Sequence, residues 1–260
     1  MTAEQPLPRL RVLGGFQLLV GNHPTALPVQ AQRVLGLLVV RWSLQTRSAV
    51  AGTLWADVTE RRAQANLRNA VWRIRLASDA VLRCTRHAVG LDTALALDLH
   101  EAQRCAQALL YGNVVEPDGR SIDVLDHDLL PAWDEEWLVI ERERQHQLRM
   151  HALEALSASL CQAGRYPEAI TAALAAVRAE PLRESAQRAL ISAHLGEGNV
   201  SEAVRQLDSY RQLLDGELGI APSEQLEATV GKVLRAGEGR LPAPADSAVA
   251  VGVGGGVAAL

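Results

Sequence analysis

Between residues 148 and 207 the chain repeats itself. A shift of 34 residues lays Ala152 on Ala186, Ala155 on Ala189, Leu156 on Leu190, Gly164 on Gly198, Glu168 on Glu202 and Ala169 on Ala203. Thirty-four residues is the repeat length of one kind of stacked helical hairpin, whose units bury their apolar stripes against their neighbours. The stripes have helical spacing: Leu148, Ala152, Ala155, Leu156 and Leu160, then Tyr166, Ala169, Ile170, Ala173 and Val177, then Leu182, Ala186, Ala189, Leu190 and Ala193, then Val200, Ala203, Val204 and Leu207. Alanines at these positions let paired helices approach closely. Gly164 and Gly198 stand where the first helix of each pair ends, a left-handed position that Gly adopts most easily. Asn199 with Glu202 three residues on predicts a reciprocal cap for the next helix. Pro222 opens a last helix with Leu226, Val230, Val233 and Leu234. Upstream, the same reading expects a helix over 99–110, a polar loop over 112–124 and a long helix after Pro131-Ala132-Trp133.

The first 99 residues follow other periods. Arg9 to Leu13 alternates charged and apolar residues, as a half-buried strand does. Gly14-Gly15 interrupts it, Phe16 to Val20 makes a second strand, and Gly21-Asn22-His23-Pro24 is a turn. A small antiparallel sheet is expected. Helices follow over about 30–41 (Val34, Leu35, Leu38, Val39 inward), 48–55 (Val50, Ala51, Leu54 inward) and 62–77 (Leu67, Ala70, Val71, Ile74 inward). Strands return over 81–86 and 88–99. Three helices and then a hairpin is the order of a winged helix-turn-helix, whose third helix enters the DNA major groove.

That third helix holds five arginines and no acid between 61 and 75. With Leu67, Val71 and Ile74 inward, Asn66, Asn69 and Arg73 point outward, Arg62 stands near the start, and Arg68, Trp72 and Arg75 take the flanks. Arginine bonds guanine and phosphate, asparagine bonds adenine, and a groove walled by phosphates suits such a helix. Arg86 and His87 lie at the hairpin tip, where a wing touches backbone or minor groove. The plain alternative is a solvated basic face. Net charge supports the first reading. Residues 1–99 carry 12 Arg against 6 acids, net +6, and residues 100–260 carry 14 basic against 24 acidic residues, net −10. A basic module joined to an acidic one suits polyanion binding by the first.

Other chemistries have no support. Phosphate-cradling glycine loops and nucleophile elbows are absent. His87, His146 and His151 belong to no set with metal-ligand spacing. Asp134-Glu135-Glu136 reads as an acidic helix start rather than a carboxylate pair. No catalytic residue, metal or cofactor is assigned. Cys84, Cys105 and Cys161 are too far apart for a disulfide framework, which suits a reducing cytosol. No run reaches the ~18 apolar residues of a membrane span, and Met1 to Pro8 does not read as a signal peptide. Residues 237–260, dense in Gly and Pro, read as a disordered tail.

These segments resemble a known family. A-N-L-R-N-A-V-W-R-I-R (65–75), L-W-A-D (54–57), R-L-R-V-L-G-G-F (9–16), L-L-P-A-W-D-E-E-W-L-V-I-E-R-E-R (129–144) and E-L-G-I-A-P-S-E-Q-L (217–226) are similar to bacterial activators of the SARP type. Those pair a response-regulator-type winged helix with a bacterial transcriptional activation domain of tetratricopeptide-like helices. The resemblance covers about residues 9–236. It implies an activator that binds direct repeats of double-stranded DNA upstream of promoters, as a homodimer on DNA. It also implies recruitment of RNA polymerase through the loop between the second and third helices, Ala56 to Arg61, for genes of secondary metabolism. Family members often carry Lys before the Gln-Arg that opens the first helix. Here Ala31 precedes Gln32-Arg33, so the phosphate contact that the Lys implies has no counterpart at this position. Neither a receiver domain before the winged helix nor a nucleotide-binding domain after the helical one is read here, so the signal input has no assigned module.

The expected fold class is an α+β winged helix-turn-helix domain over 9–99 followed by an all-α tetratricopeptide-like domain over 100–236. The expected function is sequence-specific transcriptional activation in the cytoplasm, at the nucleoid. The alternative is a tetratricopeptide-like interaction scaffold whose winged helix no longer binds DNA.

Overall fold

The computed structural model describes residues 7–112 and 119–238. The disordered tail expected over 237–260 falls outside the described residues, apart from its first two, which end the last helix.

Two short sheets frame the first three helices. Strands β1 (Arg9–Arg11), β2 (Gln17–Val20) and β3 (His23–Thr25) form an antiparallel meander. Helices α1 (Val29–Arg41), α2 (Arg47–Leu54) and α3 (Glu60–Ala77) follow, with the two-residue strand β4 (Gln45–Thr46) before α2. A 3-10 turn at Asp79–Val81 leads to β5 (Leu82–Cys84) and β6 (Ala88–Leu91), and β4 pairs with β6 to make a three-stranded wing.

The single strand expected over 88–99 is divided. The Asp92 carboxylate accepts the Ala94 N–H at 2.9 Å, a local side-chain turn that ends β6. The chain then returns to the first sheet as β7 (Ala96–Leu97), parallel to β1. That sheet is therefore mixed, with order β3-β2-β1-β7.

Helix α4 (Asp98–Tyr111) begins the helical part. The polar loop expected over 112–124 contains a short helix, α5 (Gly119–Leu125), whose Leu125 is buried. Then come α6 (Glu136–Gln162), α7 (Tyr166–Ala179), α8 (Glu184–Glu197), α9 (Val200–Leu218) and α10 (Glu224–Glu238). The 34-residue shift carries the second half of α6 and α7 onto α8 and α9. Gly164 and Gly198 have positive φ of 72° and 86°, as expected of helix ends. The reciprocal cap at α9 does not form: Glu202 pairs with Arg205, and Asn199 bonds Ser201. An arginine one turn along competes for the Glu202 carboxylate.

Residues 126–135 leave the helical part and, with the first turn of α6 as far as Leu138, lie against the winged helix. Leu13 and Leu129 form a β-bridge, and Leu130 N–H donates to Val12 C=O at 2.8 Å. Leu129, Leu130 and Leu138 join the same core as Leu10, Leu35, Leu67 and Ile74. Arg142 of α6 fixes this strap by donating to the carbonyls of Leu129, Leu130 and Trp133 at 3.1, 2.7 and 2.6 Å. Trp133 stacks on Phe16 with ring centroids 5.8 Å apart and lies so close to α1 that a methyl group at Gly36 would stand 2.7 Å from it. Glu135 takes a bidentate bond from Arg33 of α1, one arm at 2.9 Å, and a third bond from Trp137. The acidic triplet at 134–136 thus supplies an inter-domain ion pair as well as helix-start charge.

Candidate nucleic-acid interface

Helix α3 forms because its interior is rich in Ala, Leu, Arg and Gln, all strong helix formers, and because Glu60 sits in the first turn. Its end is set at Ser78, whose N–H donates to Ile74 C=O at 3.0 Å while its hydroxyl accepts Ala80 N–H. Ala63, Leu67, Ala70, Val71 and Ile74 are buried, the phase read from spacing. Arg61, Arg62, Arg68, Asn69, Trp72, Arg73 and Arg75 are exposed and Asn66 is half-buried.

The exposed residues divide between two open grooves. One, of about 430 Å³, lies between α3 and the start of α1 and gathers Arg62, Asn66, Asn69 and Arg73 beside Gln30 and Trp55. The other, of about 720 Å³, lies between α3 and the wing and gathers Arg68, Trp72, Leu76, Arg75 and Arg86. Arg73 lines the first groove, and its guanidinium lies 4.9 Å from the ring centre of Trp72, which lines the second. His87 is exposed at the wing tip beside Arg86 and lines neither groove.

Two features were not read from the sequence. Arg47 lines the second groove because its own N–H donates to His87 C=O at 2.9 Å, docking the start of α2 under the wing tip. Its backbone position follows from the pairing of β4 with β6, which two residues of strand are too short to announce. Asp79 holds Arg75 with an Nε–Oδ1 bond of 2.7 Å, and this carboxylate raises the pKa of the guanidinium. The helix has no acid from 61 to 75, but the next turn brings one back. Arg33, near the residue where the family often has Lys, is occupied by Glu135.

Among the described residues no group of His, Cys, Asp or Glu could hold a metal ion, and no helix is long and apolar enough to cross a membrane. What the surface offers is cationic and amide donors along one helix, with a wing beside it. That is equipment for a groove lined by phosphates and base edges.

Comparison with known proteins gives the class. The family model of the bacterial transcriptional activator domain matches residues 81–234, more than half of the chain. The chain belongs to this family of transcriptional regulators. It is similar to the regulatory protein AfsR of Streptomyces griseus, 29% identical over 259 residues, covering 91% of this chain and 25% of the relative. AfsR of Streptomyces coelicolor is 26% identical over 224 residues, covering 82% and 22%. The chain thus spans about a quarter of the length of these relatives, and its kinship with SARP-type activators stands. Mycobacterium tuberculosis EmbR, solved in complex with a low affinity phosphopeptide, superposes with a TM-score of 0.68 at 20% identity, covering 88% of this chain and 65% of that one. At that identity the likeness concerns the fold, a winged helix-turn-helix followed by a helical domain.

Proposed function

We propose that the chain is a sequence-specific DNA-binding activator that sets α3 in the major groove of direct repeats upstream of promoters. The observation that carries this reading is the face of α3: Arg62, Asn66, Asn69 and Arg73 in one groove, and Arg68, Trp72 and Arg75 with Arg86 of the wing in the other, His87 standing at the tip. Residues 9–99 bind DNA in this reading. Residues 100–236 pair protomers on adjacent repeats, and the chain acts in the cytoplasm at the nucleoid. The α2–α3 turn would meet RNA polymerase. It runs over 55–59 rather than 56–61, because Glu60 and Arg61 have joined α3.

The test is a salt titration of the intact chain on duplexes with one and two repeats. Affinity should fall steeply with salt as phosphate contacts release counterions, and the second repeat should tighten binding through effective concentration. The rival reading, an interaction scaffold, requires that no duplex bind above the level of a random one.

A further inference from the structure

Trp72 is 54% exposed and Leu76 67% exposed, although the core face of α3 is already filled by Leu67, Val71 and Ile74. The two stand one turn apart and line the groove facing the wing. A large apolar pair left open on a helix needs a partner that offers apolar surface. Its neighbours say which. Arg47, Arg68 and Arg86 surround the pair, and among the described residues only Arg75 of the arginines in this groove has an acid, Asp79. A protein covering Trp72 and Leu76 would bury several cations and would need a carboxylate for each. Duplex DNA brings phosphates for the arginines and one apolar group in its major groove, the 5-methyl of thymine.

We infer that Trp72 and Leu76 form a thymine-methyl-reading surface on the wing side of α3. Asn66, Asn69 and Arg73 take polar base edges on the other side. The inference rests on the proposed DNA binding and adds a base identity to it. On this flank the apolar pair distinguishes thymine by its methyl, which the hydrogen-bonding side chains beside it, Gln64 and the arginines, do not read.

The experiment uses the full chain. Its preferred duplex is selected from a random pool, and each thymine is then replaced singly by deoxyuridine, which removes the methyl and keeps every hydrogen-bonding group. At one or two positions the replacement should weaken binding about fourfold, the worth of one buried carbon. Trp72→Ala and, independently, Leu76→Gln should bind the thymine duplex more weakly and lose the thymine–uracil difference at those positions. Arg73→Ala should keep that difference while relaxing preference elsewhere. Insensitivity of every thymine to the replacement overturns the inference. So does a Trp72→Ala chain that binds all duplexes more weakly yet keeps the full difference, since the indole then lies on the sugar–phosphate backbone. If no duplex is enriched at all, the DNA-binding reading fails, and this inference with it.

Discussion

Arg73 lines the groove between α3 and the start of α1 together with Asn66 and Asn69, its guanidinium over the Trp72 ring. Arg73→Ala should therefore remove about 1–3 kcal/mol of specific binding and relax preference at one base pair. Affinity for the selected duplex and its single-base variants measures both, and unchanged values would take Arg73 out of the site. Asp98 makes a different prediction. Burial pushes its carboxyl pKa up, while the N–H groups of Val12, Leu13 and Leu99 that it accepts pull it down, and burial prevails. The folded chain then holds this proton more tightly than the unfolded one. Its contribution to stability is present below the ordinary carboxylate pKa and is lost as pH rises through the raised folded value. Urea unfolding across that window should show a falling contribution in the native chain that Asp98→Asn lacks. A difference of opposite sign would refute the assignment. Nothing in the sequence around Leu97-Asp98-Leu99 marks that aspartate, because its three donors include two from residues more than 80 positions away.

Among the elements, α3 was the most legible, since four inward positions at helical spacing leave one possible phase, and Ala63 one turn earlier is buried on the same face. Ile74→Ala should lower stability by about 2–5 kcal/mol by opening a cavity, with DNA binding reduced only in step with unfolding. A thermal melt identical to the native one would mean that the phase is misread. The repeat helices were legible for a similar reason, but their packing was denser than the stripes suggested. Ala172, Ala175, Ala176 and Ile191 are also buried. Helix α7 is covered from both sides by α6 and α8, so it buries a wider arc than a single stripe. The wing was less legible. Its third strand, β4, and the departure of β7 to the other sheet depend on partners distant in the chain.

At the scale of the molecule, the strap at 126–138 joins winged helix and helical array through a shared core, an ion pair and the Arg142 fan of hydrogen bonds. Gly36→Val would drive a side chain into Trp133 and should cost about 1–3 kcal/mol through overpacking. Calorimetry would register the loss, and faster protease cleavage within 126–135 would locate it. A chain ending at residue 99 lacks Leu129, Leu130 and Leu138 of the first core. It should melt well below one ending after residue 144, as circular dichroism would show. Equal melting temperatures would mean that the strap adds nothing to the winged helix.

Near neighbours along the chain set the helical phases, the glycine helix ends, the repeat of 34 residues and the excess of arginine on α3. Spacing decides these, because residues three and four apart share a helix face wherever the helix goes. The tertiary structure alone decided which arginines are engaged. Arg33 is matched with Glu135 across 102 positions, and Arg142 is turned inward onto strap carbonyls. Arg47 is set beside Arg68 and Arg86 by the pairing of β4 with β6. A charge acts over ångströms of space rather than positions of chain, so the partner of an arginine is known only once the chain has folded back on itself.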